Sequence, residues 1–323
     1  MNTRSTSYTL TNSELKTKEA RTNILNIVRQ LDLNKISNID IIEQIAEGGF
    51  GTTHTCNYIG TISILKKLKC LDTKAFMDEF KITYKFRYPS IPKVISAYES
   101  KDSDQEDMGV IFEYIKGTTL GSLLYKYVKG KKKKTDLQIP LLQKINYLLQ
   151  LAGVIEFLHD HDLVHRDLKP DNIIIDIFGN VKLIDFGISM PNKKVIDLNE
   201  DENCYSMKYV PVDLKYLEIN GPEELKENKE LKIGEKIKNN YVIDTAFDVW
   251  CIGLIIGELI FDTEPWNGKG ENKIVGLICE IEDPADFKYP LPKDTDKKEM
   301  SKKSNEIILK ISLASESFWK TCK

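Results

Sequence analysis

The chain lacks several patterns that would assign it to a specialised class of protein. Its six cysteines include no C-x-x-C pair, so neither a disulfide framework nor a zinc site is indicated, and reduced intracellular thiols are predicted. The formal net charge is only −3, so no global positive field favours nucleic acid as a partner. Residues 1–10 are rich in Ser and Thr and have no apolar core, so no secretory signal is predicted.

Long apolar runs are also missing. The longest, residues 249–261, is too short to span a bilayer and contains Glu258. We predict a buried helix there and expect no membrane partner. The chain has 323 residues, of which 41% are hydrophobic and 29% charged, so it has room for one large or two small globular domains.

The most informative stretch reads His-Arg-Asp-Leu-Lys-Pro-Asp-Asn over residues 165–172 and is followed by Asp-Phe-Gly at 185–187. It supplies two carboxylates, an amide and an ammonium, namely Asp167, Asp185, Asn172 and Lys169. Carboxylate and amide oxygens suit Mg²⁺, which takes one or two carboxylates together with phosphate oxygens and waters. We therefore predict Asn172 and Asp185 as metal ligands, with Asp167 beside them as a base or orienting group.

Two apolar runs connect these polar groups. Residues 173–175 are three isoleucines, residues 181–184 are again apolar, and a Gly-Asn pair at 179–180 separates them. β-Branched runs around a glycine turn are typical of a β-hairpin. A hairpin is therefore predicted between Asn172 and Asp185.

The two polar strings resemble the catalytic loop and the metal-binding D-F-G motif of the eukaryotic protein kinases, and Lys169 favours the serine/threonine type. The resemblance covers residues 39–290. It implies an α+β bilobal fold with a small, mainly-β N-lobe carrying one helix and a larger, mainly-α C-lobe. The implied domain bounds are an extension at 1–38, the N-lobe at 39–115 and the C-lobe at 116–323, with an insertion at 214–241. Comparison with the family's last segment implies that the C-terminal end is truncated, either as a fragment or as a shortened lobe.

A glycine-rich stretch lies between predicted strands at residues 39–45 and 62–68. Glycines serve ordinary turns too, but a loop of this kind lets backbone amides approach phosphate oxygens closely. Ala46 and Thr53 replace the glycine and valine that are usual in the kinase family. The resemblance implies that this loop binds nucleotide through Ile45, Ala46, Gly48, Gly49, Phe50, Gly51 and Thr53.

A lysine and a glutamate complete the predicted phosphate site. Lys66 falls where the family has its phosphate-binding lysine, whereas its neighbour Lys67 would point to the opposite strand face, toward solvent. A helix is predicted over residues 73–86, and the resemblance selects Glu79 on it as the partner of Lys66. This ion pair would hold the lysine over the α- and β-phosphates.

Residues 109–117 read as an apolar strand that leads into a connector. An apolar core strand would look the same, so only its position makes it resemble the kinase hinge. The resemblance implies that backbone groups of Glu113 and Ile115 meet the adenine edge and that Phe112 closes the back of the pocket. Ile64, in place of the usual alanine, would crowd that pocket.

Polar, aperiodic residues at 187–209 would form the activation segment. Ser206 takes the threonine position that contacts Asp167 and Lys169 in the family. Pro-Val-Asp at 211–213 replaces the usual Ala-Pro-Glu, which departs from the family's substrate platform.

Several further elements are predicted from periodicity and composition. Apolar spacings of 3, 4 and 7 residues predict a helix over 141–159, and Asp248 would open another helix and brace the catalytic-loop backbone. His165 is expected to be a packed structural imidazole. Terminal helices are predicted at 12–33 and 306–322. The Lys-rich run at 129–134 is predicted to be a solvated loop, with nuclear targeting or an acidic partner as the alternative.

These features imply Mg²⁺-dependent transfer of the ATP γ-phosphate to a serine or threonine of a protein substrate. The expected catalytic residues are Asp167 and Lys169. One alternative is a weak or inactive kinase-like scaffold, favoured by Ile64, Thr53 and the altered 211–213 segment. Another is a small-molecule phosphotransferase. No nucleic-acid or membrane partner is expected, the regulatory partner is unspecified, and the expected location is intracellular, chiefly cytoplasmic.

Overall fold

A computed structural model describes thirteen stretches of the chain: residues 35–36, 39–47, 51–68, 73–99, 108–128, 131–135, 137–197, 205–211, 214–215, 240–261, 264–268, 270 and 272–275. The predictions for residues 12–33, 48–50, 212–213 and 306–322 lie outside them, as does most of the 214–241 insertion. The chain divides into two compact units. The first comprises Met1–Lys116 with Ile184–Ile188, and the second comprises Gly117–Leu183 with Ser189–Lys323.

The first unit is built on a six-stranded sheet in the order β1-β5-β6-β4-β3-β2, in which only the β1–β5 pair is parallel. Its elements are β1 Lys35–Ile36, β2 Asp40–Glu47, β3 Gly51–Tyr58, β4 Thr61–Leu68, helix α1 Thr73–Lys85, β5 Val94–Glu99 and β6 Met108–Glu113. The β3–β4 turn is a two-residue loop, Ile59-Gly60, with φ of 49° and 74°. Positive φ at both positions matches the twist of an antiparallel hairpin.

One face of this sheet carries a small apolar core. Cys56, Leu65, Tyr98 and Ile111 form a buried cluster, and Ile39 packs against it. Because these residues come from different strands, their burial fixes the register of the strands. The register in turn places Thr53 opposite Lys66 and Ile64 opposite Phe112.

In its described residues, the second unit combines helices with short strand pairs. The helices are α2 Leu120–Leu124, α3 Leu141–Asp160 and α4 Thr245–Phe261, and the strands are β7 Gly117–Thr119, β8 Tyr125–Val128, β9 Lys131–Lys134, β10 Leu163–Val164, β11 Ile173–Asp176, β12 Val181–Leu183, β13 Met190–Pro191, β14 Lys194–Asp197 and β15 Asn240–Ile243. The predicted hairpin after Asn172 is present as β11–β12, with Ile173 opposite Leu183. Gly179 supplies the positive φ, 83°, that its turn needs.

One prediction for this unit is wrong: the Lys-rich run is not a loop, because β9 within it pairs with β8. Residues 187–209, predicted as the activation segment, contain β13 and β14, and β14 pairs with β15 at the end of the predicted insertion. In both segments the strand is stabilised by backbone pairing, which the local side-chain pattern does not reveal.

Helix α4 contains the whole of the longest apolar run, and its inward-facing residues are buried as predicted, including Leu254, Ile255 and Leu259. In the part of the chain that the structure describes, no helix combines the length and apolarity needed to cross a membrane. Glu258 and Asp248 are also completely buried on this helix. Buried carboxylates need partners, and both have them in the structure.

Candidate active site

The first unit brings three charged side chains together. The Lys66 ammonium donates a hydrogen bond to Glu79 on α1 and lies 3.4 Å from Asp185 Oδ1. Burial raises the pKa of Glu79, and the nearby ammonium only partly offsets that effect. Burial also disfavours the Lys66 charge, but the two carboxylates outweigh it and raise the pKa of Lys66. The cation is therefore held in its charged form, which is what binding of phosphate oxygens requires.

Asp185 has a left-handed backbone, with φ of 67°. Aspartate tolerates this conformation better than most residues, and such departures cluster at functional sites. Its side chain is 39% exposed although Phe186 beside it is fully buried. The carboxylate thus remains accessible to a ligand.

Replacing Lys66 by methionine is expected to make stability depend on pH. Without the ammonium, the pKa of buried Glu79 rises further. While Glu79 is protonated, its burial costs little unfolding free energy. The cost grows as the pH rises through the raised pKa, because the buried carboxylate then becomes charged. The loss in unfolding free energy relative to wild type should be larger at pH 8 than at pH 5 by roughly 1–2 kcal/mol, about one pKa unit. Urea unfolding at the two pH values measures it. The double variant Lys66→Met/Glu79→Leu should lose this dependence, and equal losses at both pH values would contradict the assignment.

The flanks of the predicted phosphate loop are described, whereas Gly48, Gly49 and Phe50 lie outside the described residues. Ala46 pairs with Thr53 across the two strands, and Ile45 is 48% exposed. Gly51 opens β3 and is buried. Lys67 occupies the opposite strand face, as predicted, but it is half-buried rather than solvated, and its ammonium lies 5.7 Å from the centre of the Tyr98 ring.

The predicted hinge follows β6. Phe112 is buried and lies opposite Ile64 in the sheet register. Glu113 is fixed through its backbone, which donates to the Lys93 carbonyl over 3.0 Å, and through its side chain, which accepts from the Lys93 amide over 3.1 Å. Ile115, after the end of β6, is half-buried.

The second unit centres on the Asp167 carboxylate, which is 8% exposed. Its Oδ1 accepts a hydrogen bond from the Ser206 hydroxyl over 2.7 Å. Its Oδ2 accepts from Lys169 Nζ over 2.7 Å and from Asn172 Nδ2 over 2.8 Å. Lys169 Nζ also donates to Ser206 Oγ over 2.9 Å. Ser206 thus contacts both Asp167 and Lys169, as the resemblance implies, and Asn172, the predicted metal ligand, is bonded to the same carboxylate.

Asn172 ends a 3-10 turn, Pro170–Asn172, and directs its amide NH₂ to the backbone oxygen and the carboxylate of Asp167. Its amide oxygen is therefore turned away from these bonds. Among the described residues there is no group of three or more His, Cys, Asp or Glu side chains able to hold a metal ion. Amide and carboxylate oxygens are each of the ligand type that Mg²⁺ takes alongside phosphate and water oxygens. The two predicted ligands, Asn172 and Asp185, belong to different units.

Asp248 holds the catalytic-loop backbone from α4. Its two carboxylate oxygens accept hydrogen bonds from the amides of His165, over 2.8 Å, and Arg166, over 3.0 Å. His159 Nε2 lies 2.9 Å from the same carboxylate. His165 is fully buried, as expected of a structural imidazole. Arg166 has a φ of 69°, and the two amide contacts secure this unfavourable conformation.

Glu258 has a structural role that was not predicted from the sequence. Its buried carboxylate accepts hydrogen bonds from the Tyr125 hydroxyl over 2.8 Å and from the Tyr209 hydroxyl over 2.7 Å. Burial and the adjacent Glu258 charge raise the pKa of Tyr209 well above its usual value, so this phenol remains a donor. The sequence did contain a signal for this role, namely an acidic residue within an apolar helix. A buried carboxylate requires hydrogen-bond donors, so partners for Glu258 could have been expected.

Replacing Ser206 by alanine is expected to lower turnover about ten-fold, because a hydrogen bond to a charged group is worth about 1.5 kcal/mol. The KM for ATP should not change, since Ser206 contacts only Asp167 and Lys169 among the predicted site residues. Ser206→Thr keeps the hydroxyl and serves as the control. Steady-state kinetics of the two variants test this, and a loss that is equal in both would contradict a role for the hydroxyl.

Comparison with known proteins agrees with this geometry. The family model for the protein kinase domain matches residues 39–314. The chain therefore belongs to the protein kinase family, and the predicted family and α+β bilobal fold class are confirmed.

Similar proteins carry kinase names, and one of them is named as a serine/threonine protein kinase. The chain is 28% identical to the probable serine/threonine protein kinase IRE4 of Arabidopsis thaliana over 76% of its own length and 24% of that protein. It is 24% identical to an Aurora kinase of Eremothecium gossypii, over 80% of this chain and 62% of that one. It is also 24% identical to ribosomal protein S6 kinase alpha-6 of Danio rerio, over 76% and 29%. The alignments thus cover between 24% and 62% of the length of these relatives.

Proposed function

We propose that this protein transfers the γ-phosphoryl group of ATP to a serine or threonine hydroxyl of a protein substrate. The observation that carries the proposal is the Asp167 carboxylate, which accepts a hydrogen bond from a hydroxyl, that of Ser206, next to the Lys169 ammonium. A carboxylate in that environment is suited to orient an acceptor hydroxyl and to take its proton. The name of the Arabidopsis thaliana relative, a probable serine/threonine protein kinase, supports the same class of substrate.

In this proposal each charged group has a separate role. Lys66, fixed by Glu79, binds the α- and β-phosphates, and the backbone around Gly51 covers them. Asn172 and Asp185 would hold Mg²⁺, which neutralises phosphate charge when bound. Lys169 steadies the transferring group while Asp167 positions the hydroxyl. Catalysis then rests on positioning and electrostatics.

Adenine is expected to lie against the hinge backbone at Glu113 and Ile115. Ile64 lies opposite Phe112 in the sheet register. At that position the isoleucine side chain would narrow the adenine pocket, so a modest affinity for ATP is expected. The scaffold alternative rests on such departures, but the Lys66–Glu79 pair and the hydrogen-bonded Asp167 are present and do not favour it.

The test is phosphate transfer from γ-labelled ATP to a panel of acidic and basic proteins, with Mg²⁺ and with a chelator. Label on phosphoserine or phosphothreonine only in the presence of Mg²⁺ is the expected result. Choline and an aminoglycoside, as small-molecule acceptors, should receive none. Transfer to these acceptors alone, or to no acceptor at any Mg²⁺ concentration, would overturn the proposal. An intracellular location stays a prediction of the cysteine pattern.

A further inference from the structure

The turn that carries Ser206 is a small, hydrogen-bonded element. The amides of Tyr209 and Val210 both donate to the Ser206 carbonyl, over 2.8 Å and 3.1 Å. A bond from the fourth residue back to the first is typical of a β-turn, and Lys208 is one of the two central residues of this one. From the first position of the turn, the Ser206 hydroxyl reaches the Asp167 carboxylate. The place of this hydroxyl therefore depends on the position of the whole turn.

Helix α4 holds one end of the turn. The Tyr209 hydroxyl donates to the buried Glu258 carboxylate over 2.7 Å, and the Cys251 thiol donates to the Tyr209 carbonyl over 3.2 Å. Glu258 and Cys251 both belong to α4. These contacts fix the last residue of the turn, whereas its centre is held from a different part of the chain.

That centre is Lys208, which is held at its side chain and at its backbone. Its ammonium donates to Glu264 Oε1 over 2.6 Å, and the Trp266 indole N–H donates to its carbonyl over 3.2 Å. Only Pro265 separates Glu264 from Trp266, and it begins the 3-10 turn Pro265–Gly268. One short segment thus supplies both contacts. We call Lys208, Glu264 and Trp266 the Lys208 clamp.

The clamp is largely shielded from water. The side chains of Lys208 and Glu264 are 30% and 14% exposed, and Trp266 is 5% exposed. Exposed ion pairs contribute little because water and salt screen them, whereas partly buried pairs are screened less. Removing one of these charges would leave the other partly buried without this partner, which is unfavourable. The ion pair is therefore able to hold the centre of the turn in one place.

Trp266 has a left-handed backbone, with φ of 59°. This conformation is an outlier for a bulky residue, and it persists only where the surrounding contacts require it. In the structure, the residue with this backbone is the one that donates its indole N–H to the Lys208 carbonyl. Because backbone outliers cluster at functional sites, the strain points to a role of the clamp beyond packing.

We propose that Glu264 and Trp266 are positioning residues for phosphoryl transfer, and this proposal rests on the function proposed above. By fixing Lys208 they keep the Ser206 hydroxyl on the Asp167 carboxylate. The alternative is that the clamp only adds stability. The two roles differ in one respect, since a positioning role acts through the Ser206 hydroxyl and a stabilising role does not depend on it.

The experiment measures Glu264→Gln in two backgrounds, with γ-labelled ATP and the protein that receives most label in the panel above. In the wild-type background, kcat should fall about five-fold, the factor that corresponds to the upper value measured for exposed ion pairs. In the Ser206→Ala background it should change by less than about two-fold, because the hydroxyl that the clamp positions is already missing. The KM for ATP should stay the same throughout. A five-fold loss in both backgrounds would overturn the proposal.

Exchanging the two charges tests the ion pair itself. Lys208→Glu and Glu264→Lys should each lower kcat, and the double variant Lys208→Glu/Glu264→Lys should have a higher kcat than either. Trp266→Phe keeps an aromatic ring without the N–H donor and should lower kcat about two- to ten-fold, as expected for one hydrogen bond. The control Lys273→Glu, at an exposed lysine, should stay within about two-fold of wild type. A double variant no better than the two single variants would count against the clamp and overturn the proposal.

Amide hydrogen exchange provides a readout that does not need catalysis. The Tyr209 and Val210 amides should exchange faster in Glu264→Gln than in wild type, whereas the His165 and Arg166 amides should exchange at unchanged rates. This pattern supports the proposed positioning of the turn even if no acceptor is phosphorylated, in which case the proposed kinase activity fails on its own. Unchanged exchange at Tyr209 and Val210, or faster exchange at all four amides, would overturn the proposal.

Discussion

Replacing Asp167 by asparagine is expected to lower turnover at least about 10²-fold, the low end for a lost general base, and to leave nucleotide binding intact. The carboxylate accepts three hydrogen bonds, from Ser206, Lys169 and Asn172. An amide keeps the size but replaces one acceptor oxygen by an NH₂ group, which faces donors and cannot take a proton from an acceptor hydroxyl. Labelled-ATP turnover and a thermal-shift titration with Mg-ATP measure the two effects separately.

The matched control is Asp162→Asn, five positions earlier. Asp162 is exposed and has a φ of 56°, a conformation that asparagine also adopts readily. Turnover of this control should stay within about two-fold of wild type, as surface substitutions usually do little. Undiminished activity of Asp167→Asn would refute the role assigned to this carboxylate, and loss of Mg-ATP binding would show that the change disturbs more than proton transfer.

Replacing Asp248 by alanine should destabilise the second unit by about 3–5 kcal/mol, because two buried backbone N–H groups lose their acceptor and each costs about 1–3 kcal/mol. The groups are the amides of His165 and Arg166, and the His159 imidazole also loses its partner. Urea unfolding gives the free-energy change. Hydrogen exchange at the two amides should become faster, which localises the effect to the catalytic loop.

Asp244→Ala is the control for that experiment. Asp244 lies just before α4, is exposed, and its side chain accepts one hydrogen bond, from the Ala246 amide over 2.9 Å. Loss of such a cap typically costs about 1 kcal/mol. Two variants with equal losses would contradict the account of Asp248, as would unchanged exchange at residues 165 and 166.

Much of the candidate site could be predicted because its residues lie in short motifs. Asp167, Lys169 and Asn172 fall within six positions, where the backbone of one loop and one 3-10 turn decides their contacts. The β11–β12 hairpin was predictable for the same reason, since a β-branched run and a turn glycine are local signals. The strand that carries Lys66 followed from the sequence pattern, and the family resemblance selected Lys66 itself and Glu79 as its partner.

Other contacts of the fold and of the candidate site could not be predicted, because they join residues that are far apart in the sequence. Lys66 and Asp185 are separated by 119 positions, and Tyr125 and Glu258 by 133. The pairing of β14 with β15 joins two segments that showed no common pattern, and β9 forms from a lysine run that has low strand propensity. Composition gives no rule for which distant backbone groups will meet.

The sequence by itself determined the family, the strand and helix types of the strongly patterned segments, and the identity of the chemical groups in each motif. Only the tertiary structure decided that Glu258 joins Tyr125 to Tyr209 and that the lysine run becomes one strand of a hairpin. The physical reason is that local propensity acts over a few residues, whereas buried carboxylates and unpaired strand edges are satisfied by whichever donors the complete fold brings to them.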